Sequence, residues 1–191
     1  MPTIEQKYFI AIIPPDPLST RIEGLKTSIS ESYQTKGALR SPAHITLHMP
    51  FLWNEAKEQR LEDALKEFKF TPEKIQIVLT GFESFPPRVV FIAVEESEPL
   101  RNLQRNLFRH CKVKLNLFNA NYKDRPFHPH ITLAFRDLKK DKFEALWNSL
   151  KDQPFQATFE ATAISLLKHD GERWNRLKEF QLWSDGSSAL Q

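Results

Sequence analysis

The sequence predicts a duplicated, two-lobed α/β protein with a groove between its lobes. The tetrapeptide HITL occurs twice, beginning at His44 and at His130. The segments around both copies follow the same order of strand, helix, HITL strand, helix and strand. His44 follows Phe9 by 35 residues and His130 follows Phe91 by 39. The two copies therefore lie at nearly equivalent places in the two halves, which chance repetition of four letters would not produce.

The first half begins with the strand KYFIAII, and Asp16 then starts a helix with one apolar stripe. Gly37 is the expected end of that helix. The first HITL lies in the strand PAHITLHMPF. A second helix is expected over residues 55–69, behind the capping residue Asn54, and KIQIVLTGF then alternates as a half-buried strand.

The second half follows the FPP segment, whose paired prolines interrupt helices and central strands. A strand (RVVFIAV), a helix behind Ser97, the second HITL strand, another helix and the strand FQATFEATAISLLK come next. The segment RWNRLKEFQLW is expected to return as the second arm of a hairpin. We therefore expect a single domain, 1–191, with lobes corresponding to the approximate halves 1–86 and 87–183, and a flexible tail over 184–191.

Composition limits the class of protein. The chain has 191 residues, of which 40% are hydrophobic and 27% charged, as expected for a globular protein. A single cysteine, Cys111, excludes an internal disulfide and a cysteine-based zinc cluster, and the absence of a signal peptide adds to the expectation of a cytoplasmic protein. No apolar stretch approaches the roughly 20 residues of a membrane span.

Charge and glycine content narrow the ligand classes. The net charge of +3 suits an anionic ligand but lacks the dense basic stripe of a dedicated nucleic-acid binder. Neither GxGxxG nor GxxxxGK[ST] occurs among the few glycines, so both common phosphate-binding loops are excluded. An ATP-dependent mechanism is therefore disfavoured.

The repeated His-x-Thr pattern predicts a site in the groove. Residues two apart on a strand point to the same face, so His44 and Thr46 project together, and so do His130 and Thr132. If a pseudo-twofold axis relates the lobes, two imidazoles and two hydroxyls face each other across the groove.

This set of groups suits displacement at phosphorus. Histidine has an unperturbed pKa of about 6.5, so one copy can act as base and the other as acid. Such a pair deprotonates the attacking water or hydroxyl and protonates the leaving oxygen. The two threonine hydroxyls can donate hydrogen bonds to the non-bridging oxygens, where charge accumulates. The reaction needs no metal ion.

With these residues the sequence resembles the 2H phosphoesterases, including the bacterial 2′-5′ RNA ligase-like (LigT-like) proteins and cyclic phosphodiesterases. Their signature is His-x-[Thr/Ser]-hydrophobic once in each lobe, which both HITL segments match, and the resemblance extends from residue 7 to about 183. It implies two mostly antiparallel sheets flanked by helices around a central groove. By matching positions, His44 and His130 would be the acid/base pair, and Thr46 and Thr132 would hold the phosphate.

The resemblance also implies the reaction: metal-independent cleavage, or the reverse joining, of phosphodiesters at a ribose 2′ position, especially hydrolysis of 2′,3′-cyclic phosphates. The substrate would be an RNA end or a small cyclic nucleotide, and no cofactor is expected. We expect a monomer that contacts no membrane. Which histidine is the base, and whether hydrolysis or joining prevails, stay open. The alternative is a binding module that holds a nucleotide or RNA end in the same groove without turnover.

The sequence departs from this family in two places. Members often carry arginine five residues after the second motif's histidine, where this chain has Phe135 followed by Arg136. If the strand stays regular, Arg136 shares a face with His130 and can still meet phosphate. A tyrosine is common in the family's last hairpin, where this chain offers Arg173 and Trp174. The tryptophans are interpreted as packing residues.

Further candidates surround the motifs. His48 is in phase with His44 and is a candidate substrate-binding residue. The polar loop NANYKDRPF leads into the second motif, and its Tyr122 and Arg125 are candidates for stacking on a base or contacting phosphate, with an ordinary solvated loop as the alternative. His128 is in phase with His130, although Pro129 favours a role in the turn.

A metal site is the less favoured interpretation of the same histidines. Zinc held by four histidines is conceivable by count, but no cysteine or carboxylate lies beside either motif, so no metal is expected. Lys168 and His169 lie at the end of a strand, where a hairpin tip is the simpler interpretation.

Overall fold

A computed structural model describes residues 4–70, 74–118 and 126–183. Its strands are β1 (Glu5–Ile12), β2 (Ile45–Asn54), β3 (Gln76–Phe85), β4 (Val89–Val94), β5 (His130–Ala134), β6 (Gln156–Glu160), β7 (Ala163–His169) and β8 (Trp174–Gln181). Its α-helices are α1 (Leu18–Tyr33), α2 (Glu58–Glu67), α3 (Glu98–Leu115) and α4 (Lys140–Leu150). The α+β class expected from the sequence is confirmed. None of the described helices is both long enough and apolar enough to cross a membrane.

The strands form one antiparallel sheet in the order β6-β3-β4-β5-β2-β1-β7-β8. The two sheets expected from the sequence are thus the two halves of a continuous one. They meet where the HITL strands β2 and β5 lie side by side and pair at Ile45 and Ile131. The pseudo-twofold relation therefore places the two motifs next to each other at the centre of the sheet.

Each half of the sheet takes strands from both halves of the chain. β3 comes before the FPP segment in sequence but pairs with β4 and β6. β7 comes late in the chain but pairs with β1. The boundary between residues 86 and 87 is consequently a division of the sequence repeat, and whether it also divides two lobes stays a prediction.

The segment FQATFEATAISLLK forms two strands, where the sequence suggested one. Only Ala161 and Thr162 separate β6 from β7, yet these strands lie six places apart in the sheet order. The sheet must therefore curl to bring them together. Backbone hydrogen bonds from Ala161 to Ile75 (2.8 Å) and from Leu182 to Thr162 (2.9 Å) hold this connection.

The expected helix start at Ser97 is confirmed, because Ser97 caps α3 through the Leu100 N–H (3.4 Å). The helix expected over 55–69 is shorter: Asn54 accepts a hydrogen bond from the Ala56 N–H (3.0 Å) and caps a 3₁₀ turn, Glu55–Lys57, and α2 follows only at Glu58. One expected helix end is wrong. Helix α1 ends at Tyr33, because Gln34 adopts a left-handed conformation with φ of 56°. Gly37 instead begins a short 3₁₀ helix, Gly37–Arg40.

Alternation along β1 separates a core face from a groove face. Tyr8, Ile10 and Ile12 belong to the main core, together with the apolar residues of the helices. Phe9 and Ala11 point the other way and form a small second cluster with Leu167 of β7. Burial of each large apolar side chain stabilises the fold by about 1.5–3 kcal/mol. The second cluster lies directly beneath the first HITL motif.

Candidate active site

A pocket of about 340 Å³ lies over the centre of the sheet. His44 and Thr46 of β2 and His130 and Thr132 of β5 all line it. The intervening Ile45, Leu47, Ile131 and Leu133 are buried in the main core, as the two-residue period of a strand requires. The structure therefore brings the two His-x-Thr pairs to one pocket, whose volume is in the range of small-molecule sites.

The two histidines are held in equivalent ways. The Nδ1–H of His44 donates to the Pro42 carbonyl oxygen (2.7 Å), and the Nδ1–H of His130 donates to the His128 carbonyl oxygen (2.8 Å). A carbonyl oxygen only accepts, so the proton of each neutral ring is on Nδ1. In both rings Nε2 is then the nitrogen that carries the lone pair, and it can take a proton from a ligand.

Both imidazoles favour the neutral form. Burial lowers the pKa of His44 to about 4; the hydrogen bond to Pro42 opposes this shift, and positive charge on Lys26 and His130 adds to it. Burial also lowers the pKa of His130 below its usual value, opposed by the hydrogen bond to the His128 carbonyl and increased by charge on the His128 ring. At neutral pH both rings are available as bases.

A buried phenylalanine packs against each histidine. Phe9 on β1 lies 4.8 Å from the His44 ring, and Phe91 on β4 lies 4.8 Å from the His130 ring, both measured between centroids. These phenylalanines are only 2% and 0% exposed. Both phenylalanines lie at matching places in the two halves of the sequence, but no sequence pattern assigned them to the site. Their similar offsets from the two motifs, 35 and 39 residues, were the only indication.

A second aromatic layer continues from each phenylalanine. Trp174 packs edge-on against Phe9 (4.7 Å) and against His169 (4.8 Å), and both Trp174 and His169 line the pocket. In the other half, Phe85 contacts Phe91 (4.5 Å), and its ring is 42% exposed. Interpreting Trp174 as packing alone and His169 as a simple hairpin tip was therefore incomplete, because both face the pocket.

His128 also lines the pocket, beyond a role in its turn. Its two ring nitrogens lie 3.8 Å from a Glu83 carboxylate oxygen and 3.7 Å from a Glu96 carboxylate oxygen. The ring packs edge-on against Phe85 (5.3 Å). Two carboxylates and an aromatic ring thus surround the His128 side chain.

His48 does not line the pocket, which corrects its assignment as a groove residue. Ile10 pairs with His48 whereas Ala11 pairs with Thr46, so β2 carries one extra residue at a bulge. The bulge reverses the alternation, and the His48 ring is 1% exposed, 5.2 Å from Phe51. Its Nδ1–H donates to the Met49 carbonyl, and its buried Nε2 has no partner among the described residues.

Arg136 lines the pocket, although the strand does not continue to it. Strand β5 ends at Ala134, and Arg136 has a left-handed φ of 64°. The expected regular strand is therefore wrong at this position. Arg136 nevertheless lines the pocket, and its contact with phosphate stays a prediction. Arg40 and Ser41 also line the pocket and were missed by the sequence analysis. Their position just before the first motif was the only indication in the sequence that they lie near the site.

Asp137 fastens the segment before the first motif to the segment after the second. Its carboxylate accepts hydrogen bonds from the Thr35 hydroxyl (2.7 Å), the Lys36 N–H (2.7 Å) and the Gly37 N–H (3.1 Å). Burial alone would raise the pKa of Asp137, but these hydrogen bonds lower it. A Cβ at Gly37 would lie 2.6 Å from the Phe135 carbonyl oxygen, so the close approach requires glycine. We call this contact the Asp137–Gly37 latch.

Helix α1 holds the same segment from below. Lys26 is 1% exposed, and its ammonium donates to Glu23 (2.9 Å) and to the Ser41 carbonyl oxygen (2.6 Å). Glu23 also accepts a hydrogen bond from the Ala43 N–H. Burial lowers the pKa of Lys26. We call this arrangement the Glu23–Lys26 clamp; it fixes the backbone immediately before His44.

Two predicted substrate-binding residues, Tyr122 and Arg125, lie outside the described residues. Within residues 4–70, 74–118 and 126–183, no group of three or more His, Cys, Asp or Glu side chains is arranged to hold a metal ion.

Several known proteins are similar to this chain. A family model described as the 2′-5′ RNA ligase superfamily matches residues 14–173. A candidate phosphoesterase of Geobacillus sp. (strain WCH70) is 31% identical over 152 residues, which is 77% of this chain and 79% of that protein. The RNA 2′,3′-cyclic phosphodiesterase of Bacillus subtilis (strain 168) is 27% identical over 172 residues, 87% of this chain and 86% of that protein.

A solved structure shows the same fold. The crystal structure of E. coli LigT complexed with 3′-AMP superposes with a TM-score of 0.65 and covers 95% of this chain and all of that one, at 20% sequence identity.

Proposed function

The chain belongs to the 2′-5′ RNA ligase superfamily, and from this premise we propose that it is a metal-independent phosphoesterase. Its substrates are 2′,3′-cyclic phosphate or 2′-5′ phosphodiester groups of RNA ends or small nucleotides. The names of two relatives, both RNA 2′,3′-cyclic phosphodiesterases, support this substrate class. The observation that carries the proposal is the pair of identical His-x-Thr motifs lining one pocket.

In the proposed reaction, His44 and His130 are the acid/base pair. The Nε2 of one neutral imidazole takes the proton of the attacking water, and the other imidazole, as a cation, gives a proton to the leaving ribose oxygen. The P–O bond to the attacking oxygen forms as the bond to the leaving oxygen breaks. The pseudosymmetric environment of the two rings allows these roles to exchange when the reaction runs towards joining.

At neutral pH the acid must gain its proton as substrate binds. Both free imidazoles favour the neutral form because burial lowers their pKa values. A phosphate anion in the pocket stabilises an adjacent imidazolium and so raises its pKa. Binding of the substrate thus prepares one of the two histidines to act as the acid.

The threonines and the backbone complete the proposed machinery. The hydroxyls of Thr46 and Thr132 donate to the non-bridging oxygens, where negative charge increases in the transition state. The hydrogen bonds to the Pro42 and His128 carbonyls keep each ring in the tautomer with Nε2 free. Because both motifs come from one chain, we propose that a monomer, acting as one two-lobed domain, is the active form.

The test is hydrolysis of 2′,3′-cyclic mononucleotides and of an RNA oligomer ending in a 2′,3′-cyclic phosphate, with EDTA present. His44→Ala and His130→Ala are each expected to lower kcat at least about a hundredfold. The matched control is His110→Ala, because His110 lies on α3 with its Nε2 against the Ala64 carbonyl and does not line the pocket. The melting temperatures of all variants are compared with wild type.

The outcomes distinguish the two candidate functions. Chelator-resistant turnover that only the pocket substitutions abolish supports the enzyme, and the position of the product phosphate identifies the leaving oxygen. Tight binding of the RNA end without turnover by wild type would favour a binding module. Activity that survives both pocket substitutions would refute the paired-histidine mechanism.

A further inference from the structure

Two arginines lie on the rim of the pocket, beyond the His-x-Thr pairs. Arg40 comes from the 3₁₀ helix before the first motif, and Arg136 follows the strand of the second motif. Both line the same pocket. Neither forms an ion pair with a residue in the described parts of the chain. Their positive charges are therefore available to a ligand.

The Asp137–Gly37 latch brings these two segments together. The Asp137 carboxylate accepts hydrogen bonds from the backbone N–H groups of Lys36 and Gly37, four and three residues before Arg40. Asp137 itself immediately follows Arg136. Its oxygens are occupied by these bonds and by the Thr35 hydroxyl, so they compete less with a ligand for the arginines.

The backbone at Arg136 favours a functional interpretation. A non-glycine residue at φ of 64° is uncommon and unfavourable, and such residues often cluster at binding sites. The guanidinium also lies 5.2 Å from the centroid of the Phe135 ring, which also lines the pocket. Stacking on an aromatic ring restricts the guanidinium and leaves its planar edge for an anion.

The pocket holds more phosphate-binding groups than one cyclic phosphate requires, although the Asp137 carboxylate offsets one positive charge. A cyclic phosphodiester carries one negative charge, and the proposed reaction already places an imidazolium and two hydroxyls around it. Arginine pairs with phosphate through two parallel N–H···O bonds. Two further arginines therefore match a second anionic group on the same substrate.

We infer that Arg40 and Arg136 form a second phosphate subsite, which selects RNA ends with a phosphodiester next to the terminal cyclic phosphate over mononucleoside 2′,3′-cyclic phosphates. This inference rests on the proposed function for the position of the scissile phosphate. The second phosphate, one nucleotide away, supplies binding energy and does not react. The two arginines are specificity residues, and the histidine pair remains the acid/base machinery.

The experiment compares three substrates: adenosine 2′,3′-cyclic phosphate, the dinucleotide ApA ending in a 2′,3′-cyclic phosphate, and the same dinucleotide with an uncharged methylphosphonate as its internal linkage. Wild type is expected to prefer the charged dinucleotide by about tenfold or more in kcat/KM over both others, since a charge-assisted hydrogen bond is worth about that factor. Arg40→Ala and Arg136→Ala are each expected to remove most of this preference. kcat/KM for the mononucleotide, which lacks the second phosphate, should fall much less than kcat/KM for the charged dinucleotide.

Arg109→Ala is the matched control, because Arg109 is exposed on α3 and does not line the pocket. It should keep the preference. The inference is overturned if wild type shows no preference for the charged linkage, if the variants keep the preference, or if they lower kcat/KM equally for all three substrates. The last result would place the arginines on the scissile phosphate.

A binding measurement separates this inference from the proposed function. If wild type cleaves none of the substrates, the proposed function fails, and the affinities of the charged and methylphosphonate dinucleotides are compared by calorimetry. A charge-dependent preference that either pocket arginine substitution removes still supports the subsite. Equal affinities for the two dinucleotides overturn it.

Discussion

The histidine of each HITL motif depends on a backbone carbonyl two residues before it. The Pro42 and His128 carbonyls fix the ring tautomers, and the phenylalanines behind the rings exclude water from one side. Burial then lowers both pKa values. The consequence is a pair of bases, one of which must be protonated before the proposed reaction proceeds.

This gives a prediction for the pH dependence. The reactive free enzyme has one neutral and one protonated histidine, and that form is most abundant between the two pKa values, of which one is about 4 and the other lies below 6.5. We therefore expect kcat/KM for a cyclic mononucleotide to reach its maximum below pH 6.5 and to fall towards pH 8. The measurement is a kcat/KM profile from pH 4 to 9. A plateau from pH 7 to 9 would contradict the prediction.

At the scale of single residues, the sequence predicted those positions in the pocket that depend only on the alternation of side chains along a strand. His44, Thr46, His130 and Thr132 reach the pocket because each motif keeps a two-residue period. His48 does not, because a bulge adds one residue between Thr46 and His48, and no local sequence pattern predicts that bulge. The roles of these residues in catalysis stay predictions.

The short segments around the HITL strands depend on neighbouring elements for their position. The Glu23–Lys26 clamp holds the first segment from α1, and the Asp137–Gly37 latch holds it from beyond β5. Arg40 and Ser41 lie between these two attachments. Sequence alone could not reveal this arrangement, since the latch joins residues 100 apart.

Substitution of Gly37 by alanine tests the latch. The added Cβ would lie 2.6 Å from the Phe135 carbonyl oxygen and 2.9 Å from the Asp137 carboxylate, so the segment must shift. We expect Gly37→Ala to lower the free energy of unfolding by about 1–3 kcal/mol and to raise KM. The control is Gly24→Ala on α1, where a Cβ meets nothing within 4 Å. That change should stabilise the protein by up to about 1 kcal/mol. Equal effects of both substitutions in denaturant titrations would exclude a specific latch.

Substitution of Lys26 by methionine tests the clamp. The Lys26 ammonium lowers the pKa of His44, so its removal should raise that pKa. We expect Lys26→Met to move the acidic limb of kcat/KM to higher pH and to lower kcat, because the Ser41 carbonyl loses its donor. Lys140→Met, at the exposed start of α4, is the control and should leave the profile unchanged. If the clamp only stabilises the fold, Lys26→Met will lower the melting temperature but leave the acidic limb of the kcat/KM profile unchanged.

At the scale of the whole molecule, three histidines stay neutral in the folded state. Burial is the largest cause of the lowered pKa of His44, His48 and His130. Unfolding returns each to about 6.5, so between 6.5 and the folded pKa the unfolded state binds more protons. Acidification below pH 6.5 therefore destabilises the fold, by up to about 1.4 kcal/mol per pH unit for each histidine.

His48→Leu tests this contribution away from the pocket. The His48 Nε2 is buried without a partner among the described residues, so an apolar side chain removes an unsatisfied acceptor. We expect the variant to be more stable than wild type by about 1 kcal/mol at pH 7 and to lose less stability between pH 6.5 and 5. Above pH 7.5 the two proteins should show the same dependence on pH in thermal unfolding. If the two proteins lost the same stability between pH 6.5 and 5, the prediction that His48 contributes to acid destabilisation would be wrong.

The sequence predicted the α+β class and the order of elements, because apolar periodicity and capping residues are local signals. The course of the sheet was not predictable in the same way. The separation of β6 from β7 at Ala161 and Thr162, and the pairing of β3 with the later strands, depend on contacts between distant parts of the chain.

The exchange of β3 and β7 between the halves of the sheet bears on the ancestry of this chain. Each repeat sends its late strand to pair beside the first strand of the other repeat. A half-length ancestor with this topology would have paired that strand only by giving it to a second copy. The present groove would then descend from the interface of a strand-swapped homodimer. His44 and His130 would descend from one residue, which met its own copy across the twofold axis before the gene was duplicated.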